Sequence, residues 1–262
     1  MMREFGKVLI NDQVAKDIWL MRLELPRVAA LVRPAQFVSV RPRDGWDPLL
    51  RRPLSVLRAN RSDGWVELLL DEVGPGTSML ASRCPGDTVD TLGPLGQAYT
   101  PARDAGRVIL LAGGVGIVPL AFWANEERER DAVLLFGAAT RSRLPDLGRL
   151  VPPELTVEIA TEDGSAGHQG FVTELMEPHI RSGGCQVFCC GPTRMMAAAA
   201  RIAARFKVPC NVSLENHMAC GFGACVGCVV KQSGESDPYR RYLRVCVDGP
   251  VFDAARITLT DG

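Results

Sequence analysis

The stretch Arg107-Val108-Ile109-Leu110-Leu111-Ala112-Gly113-Gly114-Val115-Gly116-Ile117 decides the architecture of this chain. An apolar run ends in three glycines within four residues, and a helix candidate, Pro119 to Arg130, follows with Glu126, Glu127, Arg128 and Glu129 as its charged face. Strand, glycine turn and helix in that order open a parallel sheet with helices on its faces. Glycines at such a turn leave the free N–H groups of the helix start open to an anion such as a pyrophosphate. The spacing is not G-x-G-x-x-G, so a plain tight turn reads this peptide equally well on its own. The longest uncharged stretch, Val108 to Ala124, contains Gly113, Gly114, Gly116 and Pro119. It therefore reads as strand, turn and helix start, not as a membrane span.

Downstream, the rhythm continues. Ala132 to Phe136, Leu155 to Ala160 and Gln186 to Cys190 are apolar runs, and Thr193 to Phe206 is a helix candidate. Cys190-Gly191-Pro192-Thr193 again places a turn between an apolar run and a helix. In an open α/β sheet, ligands bind beyond the carboxyl ends of the strands, so the two turns should converge. Buried packing is the commoner fate of a free cysteine such as Cys190.

Upstream, the pattern is all-β. Met21, Leu23 and Leu25 alternate with Arg22 and Glu24, which predicts a half-buried strand. Gln36 to Arg41, Pro53 to Arg58 and Trp65 to Asp71 are further short strands with Pro and Gly punctuation between them. Such spacing predicts a small barrel. Within it, Arg51-Arg52-Pro53-Leu54-Ser55 joins a guanidinium fork, a rigid proline and a hydroxyl, a set that suits phosphate and a ring heteroatom. Two Gly-rich turns, Gly74-Pro75-Gly76-Thr77 and Gly93-Pro94-Leu95-Gly96, could let backbone approach a cofactor. Arg41, Arg43, Arg51, Arg52, Arg58 and Arg61 cluster in sequence as either a solvated face or a phosphate site.

The last fifty residues break the strand-helix rhythm. Cys220-Gly221-Phe222-Gly223-Ala224-Cys225-Val226-Gly227-Cys228 is a C-x4-C-x2-C run, and Cys246 follows in Arg244-Val245-Cys246-Val247-Asp248-Gly249-Pro250. This is the ligand spacing of a plant-type [2Fe-2S] cluster. Four cysteines can also bind zinc, although zinc sites usually pair their ligands in two short knuckles. Nine cysteines is an odd number, and Cys84, Cys185, Cys189, Cys190 and Cys210 show no disulfide framework. Met1-Met2-Arg3-Glu4-Phe5 leads into a strand with no apolar signal region, so a reducing, cytoplasmic setting is expected. Thirty basic and thirty acidic side chains cancel, which leaves no global field for nucleic acid. His168, His179 and His217 show no triad or zinc spacing, and no catalytic acid or base is assigned in this chain.

The expected organisation is a flavin-type β-barrel over residues 1–102, an α/β nucleotide domain over 103–210 and a cysteine-loop appendage over 211–262. These pieces in this order resemble the ferredoxin–NADP reductase superfamily. Arg52-Pro53-Leu54-Ser55 resembles its flavin motif, Gly113-Gly114-Val115-Gly116 its nicotinamide loop, and Cys190-Gly191-Pro192 its late C-G-P motif. Ser213 through Cys228, with Cys246-Val247-Asp248-Gly249-Pro250-Val251-Phe252, resembles the family of electron-transfer subunits of type B dihydroorotate dehydrogenase.

The resemblance implies FAD, a [2Fe-2S] cluster and NAD as cofactors. It implies an FMN-containing catalytic subunit as partner, in a heterotetramer of two of each, serving pyrimidine biosynthesis. It places Arg52 at the FAD pyrophosphate and Ser55 near the isoalloxazine ring, with Leu69, Leu70, Asp71, Gly76 and Thr77 lining the rest. Cys220, Cys225, Cys228 and Cys246 become the metal ligands. A related reductase subunit serving ferredoxin, a hydrogenase or a sulfide-oxidising partner is the alternative. The sequence departs from the pattern at Ala35, where glycine is frequent, at Val115 in the nicotinamide loop, and at Asn216, where an acid is common. Arg141 and Arg143, after the second α/β strand, could meet the 2′-phosphate of NADP or be solvated loop residues. NAD is the reading preferred.

Overall fold

The computed structural model describes residues 1–100, 106–181 and 183–259. The boundary expected at 102/103 lies outside the described residues. Six antiparallel strands form the first unit: β1 (Met2–Ala15), β2 (Ile18–Glu24), β3 (Phe37–Val40), β4 (Arg52–Asn60), β5 (Trp65–Asp71) and β6 (Thr88–Leu95). They close into a barrel in the order β1-β2-β5-β4-β3-β6. Two short helices, α1 (Pro26–Ala29) and α2 (Pro75–Ala81), fill the connections.

The half-buried strand expected around Met21 is buried on both faces at its start. Met21 and Leu23 point into the barrel core, while Ile18 and Leu20 join a second core shared with the α/β unit. A solvent face was expected from Arg22 and Glu24, but another domain covers the upper half of that face. Ala35 sits at φ +74°, the left-handed backbone that normally calls for glycine.

The second unit is a seven-stranded sheet. Its strands are β7 (Arg107–Gly113), β8 (Ala132–Ala138), β9 (Thr156–Thr161), β10 (His168–Gln169), β11 (Cys185–Cys190) and β12 (Cys210–Ser213). After a small hairpin of β13 (Val229–Lys231) and β14 (Tyr242–Arg244), the chain returns as β15 (Val251–Asp253). The sheet order is β10-β9-β8-β7-β11-β12-β15, parallel except for the last strand. The boundary expected at 210/211 passes through β12. The C-terminal segment is stitched back into the sheet by β15, because Val212 pairs with Phe252 there.

Helices α3 (Ile117–Glu126), α4 (Met176–Ile180) and α5 (Thr193–Arg205) cover the sheet. Helix α3 departs from expectation. Every residue from Ile117 to Ala124 is buried, and Glu127 to Arg130 lie beyond its end. An all-apolar helix is a buried helix, and this one lies between the sheet and the barrel, with Phe122 inserted into the barrel core. Helix α5 keeps the ordinary amphipathic form, burying Met196, Ala199 and Ala203. Among the described residues, no helix is long and apolar enough to cross a membrane.

Candidate functional site

Two clefts meet where the barrel faces the carboxyl ends of the parallel strands. The larger, about 770 Å³, is lined by Gly113 to Gly116, Gly137 to Ala139, Glu162, Gly170 to Thr173 and Gly191 to Met196. Its size falls in the ordinary range for small-molecule sites. The smaller, about 230 Å³, is lined by Pro53, Leu54, Ser55, Leu69, Leu70, Asp71 and Thr77 from the barrel side. Cys190, Ser213 to Asn216, Met218 and Pro250 close it from the other. Asp71, Val115 and Glu215 line both. The structure thus brings together Pro53 to Ser55, Thr77, Gly113 to Gly116 and Cys190 to Pro192, whereas the Gly93 to Gly96 turn lines neither cleft.

Two of the glycines in Gly113 to Gly116 also make room for a neighbouring segment. A Cβ on Gly116 would fall 2.2 Å from the Cys190 carbonyl oxygen, and one on Gly113 would fall 2.7 Å from Met195 Sδ. These two are glycine because the 190–195 segment packs against them. Only Gly114, at φ +55° with open space around it, leaves its surface to a ligand.

The arginine cluster dissolves into pairs. Arg51 joins Asp90, Arg58 joins Glu67, Arg61 joins Glu126 and Arg43 joins Asp47, while Arg41 hydrogen-bonds Gly45 O. Among the described residues Arg52 has no ion pair; it donates to the Leu50 carbonyl. Its guanidinium lies flat on the first turn of α2, where a Cβ on Gly76 would fall 2.2 Å from Nε. Gly76 is therefore the seat of Arg52. The Thr77 hydroxyl accepts from the amides of Val73 and Gly74 and donates to Gly74 O, so its role is to cap that turn.

Arg143 is neither a solvated residue nor a free phosphate ligand. It binds Asp71 Oδ2, lies 3.6 Å from Asp17 Oδ2 and donates to Lys16 O at 2.8 Å, clamping the α/β unit to the barrel. Arg141 is exposed. Asp71 keeps Oδ1 buried and without a partner, an acceptor that faces both clefts.

Two acidic residues escaped sequence reasoning. Glu215 sits between the clefts, and burial, then the Asp71 charge, raises its carboxyl above the ordinary value. Burial, then the charge of Glu215, raises the Cys190 thiol. Glu162 ends β9 on the wall of the larger cleft. Neither stands in a pattern that periodicity or spacing could flag. The histidines are held by carboxylates outside this junction, His168 by Glu174 and His179 by Glu158.

The cysteine loop follows two residues after Met218 of the smaller cleft. Gly221 at φ +78° and Gly223 at φ +91° turn its backbone inward. Among the described residues, no three His, Cys, Asp or Glu side chains converge as ligands of a single ion. The four thiols are neighbours: Cys225 acts on Cys220, and both Cys228 and Cys220 act on Cys246. Cys220 and Cys225 are solvent-facing; Cys228 and Cys246 are each 2% exposed.

Amides point at the sulfurs: Cys225 N to Cys220 Sγ at 3.4 Å, Gly227 N to Cys225 Sγ at 3.5 Å and Cys246 N to Cys228 Sγ at 3.4 Å. Against partial burial, the amides of Cys225, Phe222 and Ala224 bring the Cys220 thiol down to about 6. Burial and the neighbouring Cys228 push the Cys246 thiol up to about 12. Neighbouring thiols under inward amides suit a [2Fe-2S] cluster.

The family described as the iron-sulfur cluster binding domain of dihydroorotate dehydrogenase B matches residues 215–258. A relative from Desulforamulus reducens named dihydroorotate dehydrogenase B (NAD(+)), electron transfer subunit, is 38% identical, with 96% of this chain and 97% of the relative covered. A relative of the same name from Geobacillus thermodenitrificans is 36% identical, covering 98% and 99%. Among solved structures, a chain of an NADH-dependent reduced ferredoxin–NADP oxidoreductase, studied for flavin-based electron bifurcation, is 30% identical. It superposes with a TM-score of 0.85 over 97% of this chain and 90% of that one.

Proposed function

The chain belongs to the family of dihydroorotate dehydrogenase B electron transfer subunits, and on that premise we propose how its clefts and cysteines divide the work. It couples NAD to the catalytic subunit of a dihydroorotate dehydrogenase through FAD and a [2Fe-2S] cluster. The barrel over the first hundred residues holds FAD, the α/β sheet holds NAD, and the segment after β12 holds the cluster. The observation that carries this reading is continuity. Asp71, Val115 and Glu215 belong to both clefts, and Met218 of the smaller cleft stands two residues from Cys220. Two residues of chain span roughly 7 Å at most.

The residues present fit these groups. Arg52, seated on Gly76 without an ion pair, is the cation for the FAD pyrophosphate. Pro53, Leu54, Ser55, Leu69 and Leu70 give the flavin side its wall, and the orphan Asp71 Oδ1 accepts a hydrogen bond there. Gly113, Gly114, Gly116, Cys190, Gly191 and Pro192 shape the nicotinamide side. Cys220, Cys225, Cys228 and Cys246 are the cluster ligands. A flavin supplies the conversion between a two-electron hydride and the single electrons that a [2Fe-2S] cluster carries. The chain's own part is to bind, to orient and to exclude water. Cys190, buried at the junction, marks where water is kept out.

NAD is favoured over NADP because the carboxylate at the end of β9, Glu162, repels a 2′-phosphate while Arg143 is already engaged. Arg141→Ala should leave the apparent NADH affinity nearly unchanged, whereas Glu162→Gln should raise activity with NADPH. A loss of NADPH activity alone in Arg141→Ala would reverse the assignment. The partner is the FMN-containing subunit, assembled two with two, in the cytoplasm. The test is direct. Iron and flavin are quantified beside absorption and EPR spectra, and NADH-dependent orotate reduction is assayed with the catalytic subunit. A loaded complex that does not turn over, but reduces ferredoxin, favours the second reading that the 30% identical oxidoreductase supports.

A further inference from the structure

Arg244, two residues before Cys246, is drawn back over the cysteine loop. Its Nη1 donates to the Gly223 carbonyl at 3.4 Å. Two residues on, the Cys225 amide meets the Cys220 sulfur at 3.4 Å. The guanidinium therefore grips a carbonyl of the same short loop whose amide meets a ligand sulfur. A cation fixed there brings positive charge to the sulfurs and holds the loop that carries the N–H···S contact. Gly223 permits this approach: a Cβ there would fall 3.3 Å from Nη1 and 2.7 Å from Val247 Cγ2.

Asp248 holds Arg244 in place and opposes its charge. Its Oδ2 accepts from Arg244 N at 2.7 Å and from Nε at 3.3 Å. The carbonyl of Arg244 in turn accepts from the amides of Val247 and Asp248. The Asp-Gly-Pro context of Cys246 thus acquires a physical meaning: the aspartate is the guy-rope of the arginine.

We propose that Arg244 raises the reduction potential of the cluster held by Cys220, Cys225, Cys228 and Cys246, with Asp248 as its electrostatic counterweight. The inference rests on the reading that these cysteines hold a [2Fe-2S] cluster. Four thiolates leave that cluster negatively charged, and each electron gained adds to the charge. A nearby cation therefore favours the reduced form, and a nearby carboxylate disfavours it. Net charge and hydrogen bonds to the sulfurs are two of the levers that set such potentials. Both side chains are more than a third exposed, 39% for Arg244 and 34% for Asp248 side-chain surface, which screens the effect.

The experiment is an EPR-monitored redox titration of the full chain carrying FAD and cluster, for wild type, R244Q, R244K and D248N at one ionic strength. R244Q should lower the cluster midpoint by about threefold in the reduced-to-oxidised ratio, about 30 mV at 59 mV per decade for one electron. D248N should raise it. R244K, which keeps the charge, should recover half or more of the R244Q shift, and added salt should shrink every shift. A midpoint unmoved or raised in R244Q, or unmoved or lowered in D248N, overturns the proposal. Should R244Q fail to take up iron, the sign of the D248N shift decides alone. A wild-type chain with no reduced-cluster EPR signal would sink the cluster reading itself, a failure distinct from a cluster whose potential ignores Arg244.

Discussion

Two glycine-rich loops of this chain use glycine for opposite reasons. In Gly113 to Gly116, two of the three glycines clear space for a neighbouring segment: a Cβ on Gly116 would strike the Cys190 backbone at 2.2 Å. In the cysteine loop, Gly221 and Gly223 hold backbone at φ +78° and +91°, turning amides toward sulfur. The first loop serves packing and only secondarily a ligand. The second serves the direction of its N–H groups. Sequence alone gives both loops the same appearance.

Four changes would break or sharpen this contrast. Gly116→Ala should be the most damaging, costing about 3 kcal/mol as an overpacked contact with backbone. Denaturant unfolding should report it even without cofactors. Gly223→Ala should cost less, about 1–2 kcal/mol for left-handed backbone, and the loss should appear as reduced iron content while the flavin stays bound. If Gly223→Ala lowered flavin content as much as iron, the loop would be serving packing after all. Gly114→Ala, with φ +55° but open space, should cost about 1 kcal/mol and weaken NADH binding only modestly in a titration.

Glu215→Gln should be the smallest and of opposite sign. The folded-state value of this carboxyl is raised, so the folded chain holds the proton more tightly than the unfolded chain does. Stability then rises as pH falls from the folded value through the unfolded one, and the penalty is present at neutral pH, where the group is ionised. The glutamine should stabilise the chain at pH 7 slightly, because Glu215 is solvent-facing and its effect is screened. The gain should fade as pH is lowered through that window; a gain that persists unchanged in acid would refute the assignment.

Much of the architecture was legible because its causes are local. Alternation and apolar runs marked Trp65–Asp71 as a strand to the residue, and Thr193 to Phe206 as a helix that ends one residue earlier. The cysteine spacing marked the loop for the same reason: three cysteines within nine residues must share one turn of chain. Helix α3 shows where local reading stops. Its charged end read as a helical face, but the barrel and the sheet bury Ile117 to Ala124 on all sides, and every charge except Glu126 falls in the turn beyond the helix. Arg143 shows the same limit, since only the fold brings Asp71, Asp17 and Lys16 of the barrel to its guanidinium.

The sequence by itself determined the kinds of element, their order and the four-cysteine pattern of the C-terminal segment, because these follow from period, turn chemistry and spacing within one segment. The tertiary structure decided what no segment contains. It placed Glu215 between two clefts, seated Arg52 on Gly76, made the four cysteines neighbours, and brought Arg244 over Gly223. Each of these depends on residues distant in the chain or on the path of a loop, and such meetings are fixed by packing and burial, which a one-dimensional pattern does not carry.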